Sequence, residues 1–136
     1  MELNIRNLTE KDYSTLKSWW DTWDGWVAPP KDFLPDNGKG GFIVEKNDIG
    51  IVAGFLYTTN SKAVILEWVI SNPEYKETDR KQAIELLIDG AENVAKSNGF
   101  RYMFSVTGNK NLIKAHENLG WTKDPKSSHE LTKKLY

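Results

Sequence analysis

The chain of 136 residues contains no cysteine. Disulfide frameworks, thiolate metal sites and cysteine nucleophiles are therefore excluded. Histidine is nearly absent: only His116 and His129 occur, too few for a histidine-rich metal centre. No stretch approaches the roughly 18 apolar residues of a spanning helix. The N-terminal segment, residues 1–13, lacks the apolar core of a secretion signal, so a cytoplasmic location is the default expectation. An excess of one charge is lacking too. Lys and Arg number 18 against 19 Asp and Glu, for a net charge of −1. The basic signature of a phosphate-backbone binder is missing, and neither a nucleic acid nor a membrane is expected as partner. Lys123, Lys126, Lys133 and Lys134 near the C-terminus read as a solvated face.

What is present suits a single domain over residues 1–136. Apolar residues make up 39% and charged residues 27%, as in soluble globular chains. A chain near this length buries roughly 70% of its unfolded surface, enough for one core. Residues 2–6 read as a strand. Thr9 with Asp12 forms a capping-box variant, and Tyr13, Leu16, Trp20 and Trp23 fall on one helical face. Residues 24–40, with Pro29, Pro30 and Pro35, read as loop with room for a short helix. Residues 41–46 and 49–58 flank Asn47-Asp48 as a hairpin. The branched, apolar run 63–70 reads as a central strand ended by Asn72-Pro73.

A helix is expected from about residue 79. Asp79 and Gln82 form its capping box, Ala83, Leu87, Ala91 and Val94 its apolar face, and Gly99 its stop. Residues 101–106 return as a strand, 109–119 as a short helix ending at Gly120, and 129–135 as a last strand. The order β-α-β-β-β-α-β-α-β predicts a mixed α/β domain, with hairpins first and one β-α-β crossover later.

Three segments resemble the GNAT superfamily of acyl-CoA-dependent N-acyltransferases. They are LEWVISNPEY (66–75), the 79–99 helix followed by GFRYMFSV, and NKNLIKAHENLGW (109–121). The resemblance implies a mostly antiparallel sheet flanked by helices, with a splayed parallel pair formed by 63–70 and 101–106. Acetyl-CoA would sit between these strands. Its arm would pair with backbone near Val69, Ile70 and Ser71, and an N–H near Ile70 would meet the oxyanion. Its pyrophosphate would rest on the loop and helix start that follow, drawing on Lys76, Arg80, Lys81, Gln82 and Ala83. A small-molecule or protein amine would attack the thioester directly. The glycines of the family's phosphate loop are absent here, with Lys81 at the first of them. The loop count from Pro73 and the count back from the helix differ by two residues, which implies an insertion.

Candidate chemistry follows from residue type and place. Glu67 interrupts an apolar strand, as a general base would; the alternative is a solvated or ion-paired strand residue. His116 stands where the resemblance places a tyrosine acid for the departing thiolate; otherwise it is a helix-surface histidine. Asn109 is a cofactor contact, a helix N-cap, or both. Trp19, Trp20, Trp23 and Trp26 are interleaved with Asp21 and Asp24. Trp20 and Trp23 read as core. Trp19 and Trp26, with Asp24, suit a cationic amine acceptor; an exposed aromatic patch would equally serve a homodimer or other partner. A GNAT-fold binding module without transfer activity is the alternative to an enzyme.

Overall fold

The computed structural model describes residues 2–23, 25–126 and 128–136. Five strands form one sheet in the order of the chain. They are β1 (Asn4–Asn7), β2 (Gly41–Lys46), β3 (Ile49–Thr58), β4 (Ala63–Ser71) and β5 (Tyr102–Phe104). The first four pair antiparallel, and β5 runs parallel to β4. Helices α1 (Asp12–Thr22), α2 (Arg80–Ser97) and α3 (Lys110–Asn118) complete the domain, with 3₁₀ turns at Lys31–Phe33 and Pro35–Gly38.

Local chemistry explains the boundaries. Asn47 and Asp48 both take left-handed backbone, φ 53° and 63°, as the two central residues of a tight type I′ hairpin must. Before α1, the Thr9 hydroxyl accepts from Lys11 N–H, and the Asp12 carboxylate accepts from Thr9 N–H at 2.7 Å. The expected partners do bond each other's turn, but the regular helix starts later than the sequence suggests, with Asp12 as its first residue and Lys11 at the N-cap. Helix α2 ends at Gly99, φ 84°, where Gly99 N–H bonds the Lys96 carbonyl and Phe100 N–H the Ala95 carbonyl. Gly120 ends α3 the same way, with Trp121 N–H on His116 and Gly120 N–H on Glu117.

The sheet lies between two apolar layers. Phe42, Val44 and Leu66 pack with Ala83, Leu87, Ile88 and Ala91 of α2. Ile43, Phe55 and Ile70 pack with Leu16, Trp19 and Trp20 of α1. Fully buried side chains such as Leu16, Phe55, Leu66 and Leu87 each contribute about 1.5–3 kcal/mol relative to exposure.

Four expectations are corrected. The segment 129–135 forms no strand, and Leu131 and Leu135 are 92% exposed. Strand β5 stops at Phe104, before residue 106. Asp79 does not cap α2; its carboxylate instead accepts from Lys46 Nζ at 2.8 Å and the Tyr75 hydroxyl at 2.6 Å. Val94 is exposed, and Ala95 takes the buried place on that face of α2, because the helix rotates its stripe over four turns.

Arg6 ties three elements together. It donates to both Asp12 oxygens at 2.9 Å and to both Glu45 oxygens at 3.0 and 3.2 Å. The Arg6 hydrogen bonds hold the Asp12 carboxyl below its ordinary value. Arg6→Ala is expected to cost about 1.5–3 kcal/mol at pH 7 in urea unfolding, the range for hydrogen bonds to charged groups. Because the Asp12 value is depressed by folding, this contribution is present above about pH 4 and lost as pH falls through the folded value. The gap between wild type and variant should therefore shrink in acid.

Candidate functional site

The site begins where two parallel strands part. Pairing between β4 and β5 runs from Ala63–Tyr102 to Ile65–Phe104 and goes no further. Beyond it, β4 stays paired with β3 alone, to Val52–Ser71. The β3–β4 register slips between Ala53 and Phe55, where β4 carries an extra residue. Trp68 sits at that bulge with φ 56°, in the left-handed region rarely used by a large aromatic residue. The bulge reverses the faces that simple alternation predicts. Val69 packs with the α2 layer, while Trp68 and Ile70 pack with the α1 layer.

Glu67 occupies the fork. Its carboxylate accepts from Val106 N–H, and Ser105 Oγ lies 3.5 Å from the same oxygen. The side chain thus spans the two strands at the point where their backbone bonding ends. Burial pushes the Glu67 carboxyl above its ordinary value. The Val106 N–H opposes that shift, and the Glu130 charge adds to it.

The groove past the fork contains a cavity of about 400 Å³. Val69, Ile70 and Ser71 line one wall; Thr107, Gly108 and Asn109 line the other. Trp23 and Trp26 border it from the α1 side, and Arg80 from the start of α2. Asn72 N–H bonds the Ile51 carbonyl at 2.8 Å, which marks that pair as hydrogen-bonded. Alternation then turns Ile70 toward Ala53 on β3 and leaves the N–H and C=O groups of Val69 and Ser71 facing the groove. The N–H expected near Ile70 is therefore that of Val69.

The end of the groove is cationic. Arg80 is half-buried at the wall; Lys76 and Lys81, near it in sequence, are exposed and do not line the cavity. Helix geometry leaves the amides of Lys81 and Gln82 without an intrahelical acceptor, so they are open to an anion. Ala83 does not join them: its side chain is fully buried, and its N–H bonds the Asp79 carbonyl at 3.0 Å. Asn109 caps α3, accepting from Leu112 N–H at 3.0 Å, while also lining the cavity.

Other candidates lie elsewhere. Trp19 is 6% exposed and packs in the α1 layer, so it presents no aromatic face to a ligand. The helical face is broader than its period suggests, because Trp19 fills the space over Gly50, where an added Cβ would lie 3.0 Å from its ring. Asp24 falls outside the described residues. His116 is neither on the helix surface nor at the groove. It is 6% exposed and lines a separate cavity of about 520 Å³, which shares only Thr107 and Gly108 with the groove. Its Nδ1 lies 2.8 Å from the Leu112 carbonyl, which can only accept, so Nδ1 carries the proton. Nε2 is buried without a partner among the described residues, and burial lowers the ring below its ordinary value. Trp23, which its period places in the core, does pack half-buried against the α1 layer, and it also borders the groove, which no sequence signal shows. No group of residues able to hold a metal ion occurs among the described residues.

No protein-family model matches the sequence, and a search of curated proteins finds no match. Solved structures do match in fold. The chain is similar to the aminoglycoside N-acetyltransferase AAC(6')-Iy in complex with CoA, at 20% identity, 96% of this chain, 95% of that chain and TM-score 0.63. It is similar to the ribosomal-protein-S18-alanine N-acetyltransferase from Escherichia coli, at 18% identity, 88% of this chain, 77% of that chain and TM-score 0.64. A GCN5-related N-acetyltransferase from Ralstonia eutropha JMP134 matches at 15% identity, 96% of this chain, 99% of that chain and TM-score 0.65. The chain has the GNAT fold: a mixed five-stranded sheet with one parallel pair, between helices.

The raised Glu67 carboxyl has a testable consequence. A carboxyl raised by folding costs stability once it ionises, and that cost grows as pH rises through the folded value. Glu67→Gln keeps an acceptor for Val106 N–H and removes the charge. It should be more stable than wild type in urea at pH 7.5, with the difference closing at pH 4.

Proposed function

We propose that this GNAT-fold chain is an acetyl-CoA-dependent N-acetyltransferase acting on a primary amine. One observation carries the reading. Past the fork, the outer edge of β4 has no strand partner among the described residues, and its Val69 and Ser71 groups face a cavity of about 400 Å³ bordered by Arg80. An arm of secondary amides suits such an edge, because it supplies the alternating donors and acceptors of a missing strand. A diphosphate suits the far end, where Arg80, Lys76, Lys81 and the open amides of α2 provide positive charge.

On this reading the thioester would lie near the fork. The outward N–H of Val69 would stabilise the oxyanion as the amine attacks. Glu67, directly or through a water, would take the proton that frees the amine from its ammonium form. Burial raises its carboxyl toward the range in which it can both accept and release a proton. Collapse breaks the carbon–sulfur bond, and the proton left on the new amide nitrogen passes to the departing thiolate. This sequence needs no proton from His116. Trp26, half-exposed at the rim, would offer an aromatic face to a cationic acceptor.

A second reading is a binding module that retains the fold without transfer. The glycine-free loop and the Asp79 carboxylate at the start of α2 favour it. Lys46 and Tyr75 neutralise and engage that carboxylate, which lessens its repulsion of a phosphate.

Thermal unfolding with acetyl-CoA, and ATP as the generic phosphate control, separates ligand from non-ligand. At 100 times its dissociation constant, acetyl-CoA should add about 2.7 kcal/mol and raise the midpoint by about 5–15 °C. Turnover with an amine panel then separates enzyme from module. Glu67→Gln should lower kcat/KM by about 100-fold or more at neutral pH and remove the acidic limb of the pH profile. Binding without turnover of any amine would favour the module; no shift at millimolar acetyl-CoA would overturn the enzyme reading and leave the module standing.

A further inference from the structure

One group on the groove-facing edge of β4 is already engaged. The outward carbonyl of Ser71 accepts a hydrogen bond from Trp23 Nε1 at 2.9 Å. Trp23 is the residue at which α1 ends: its backbone turns extended, φ −75° and ψ 131°. The chain leaves the helix there, and the half-buried ring lies against the groove with Ser71 and Arg80. The Arg80 guanidinium carbon stands 5.9 Å from the centre of that ring. The indole thus holds an edge acceptor and, on its other side, a cation of the phosphate end.

A carbonyl at the end of a one-sided strand needs a donor when it is withdrawn from water. In the free protein the indole N–H supplies it. An acyl-CoA arm laid along β4 brings amide N–H groups of its own to the same edge.

Resting on the cofactor reading above, we propose that Trp23 occupies part of the cofactor's place in the free protein. Its indole holds the Ser71 carbonyl and yields it when the acyl-CoA arm pairs with β4. The same movement uncovers Arg80 for the phosphates. Trp23 is therefore a positioning residue that sets cofactor affinity through a competing hydrogen bond.

Trp23→Phe tests this, because phenylalanine keeps a ring beside Arg80 and removes only the competing donor. Calorimetric titration should show acetyl-CoA binding about 2- to 12-fold tighter than to wild type, the span of one net hydrogen bond. Damage to the groove would weaken binding instead. In ¹⁵N-labelled wild type, the Trp23 indole signal (the one missing from the variant) should exchange slowly with solvent when free and faster with acetyl-CoA bound. Equal or weaker binding, with the indole equally protected in the complex, overturns the role of Trp23 and leaves the cofactor reading standing. Binding by the variant but not by wild type would support the role in its strongest form. Absence of binding by both proteins overturns the cofactor reading and, with it, this inference. If the variant does not fold, the wild-type indole exchange decides alone, its signal identified by resonance assignment.

Discussion

The groove depends on the bulge at Glu67–Trp68. A regular β4 would continue alongside β5, and its outward amides would be consumed in the ladder. The extra residue bends β4 away after Ile65, and from there its outer edge has no strand partner. The cost is a tryptophan at φ 56°, about 1–2 kcal/mol for left-handed backbone. Aromatic packing offsets it. Trp68 meets Trp20 edge-on at 6.1 Å and Phe33 at 5.6 Å, contacts worth about 0.5–1.5 kcal/mol each beyond burial. Trp20 in turn stacks on Phe55 at 6.3 Å, the strand residue opposite Glu67. The core under α1 therefore holds open the strand that lines the site.

That dependence explains which parts of the fold were legible in the sequence. Strands β2, β3 and β4 were readable because branched apolar runs end at turn residues with a definite φ requirement. The two helix stops were readable because Gly99 and Gly120 are what a left-handed terminus selects. The bulge was not readable. Period-two alternation alone would put Leu66 and Ile70 on one face, and only the slip against Ala53–Phe55 separates them. The tail, 129–135, has only Leu131 and Leu135 as apolar residues, too few to fix a strand face. Pairing is also not local information, and among the described residues that segment has no neighbouring strand.

The site was legible where backbone position was enough. Val69, Ile70, Ser71, Arg80, Asn109 and Trp26 do meet at one cavity, because strand end, helix start and helix cap are set by local signals. It was illegible where side-chain direction decided. His116 lies one turn beyond Leu112 on α3, yet its ring bonds that residue's carbonyl and turns to Trp121, 4.5 Å away between ring centres. Trp19 and Trp23 show the same limit in opposite directions. One is drawn fully into the core by the space over Gly50, and the other, at the edge of that core, turns its indole N–H to a backbone carbonyl of the groove.

The end of the groove proposed to take the phosphates carries charge where a glycine loop would supply backbone. A glycine loop binds by geometry, since fixed N–H groups point at the anion whatever the ionic strength. Lys76 and Lys81 are exposed, so their attraction is screened over about 10 Å in ordinary salt. Arg80, half-buried against Trp23, is screened less and has the planar donor fork that suits phosphate. Rigidity comes instead from Asp79, which joins Lys46 of β2 and Tyr75 of the loop at 2.8 and 2.6 Å. That carboxylate is held below its ordinary value, mainly by Lys46, and it pushes the Tyr75 hydroxyl up to about 12. Both groups therefore keep one protonation state across the physiological range. The loop is fixed to the sheet by a pair whose charges largely cancel, which leaves Arg80 as the best-placed cation facing the groove.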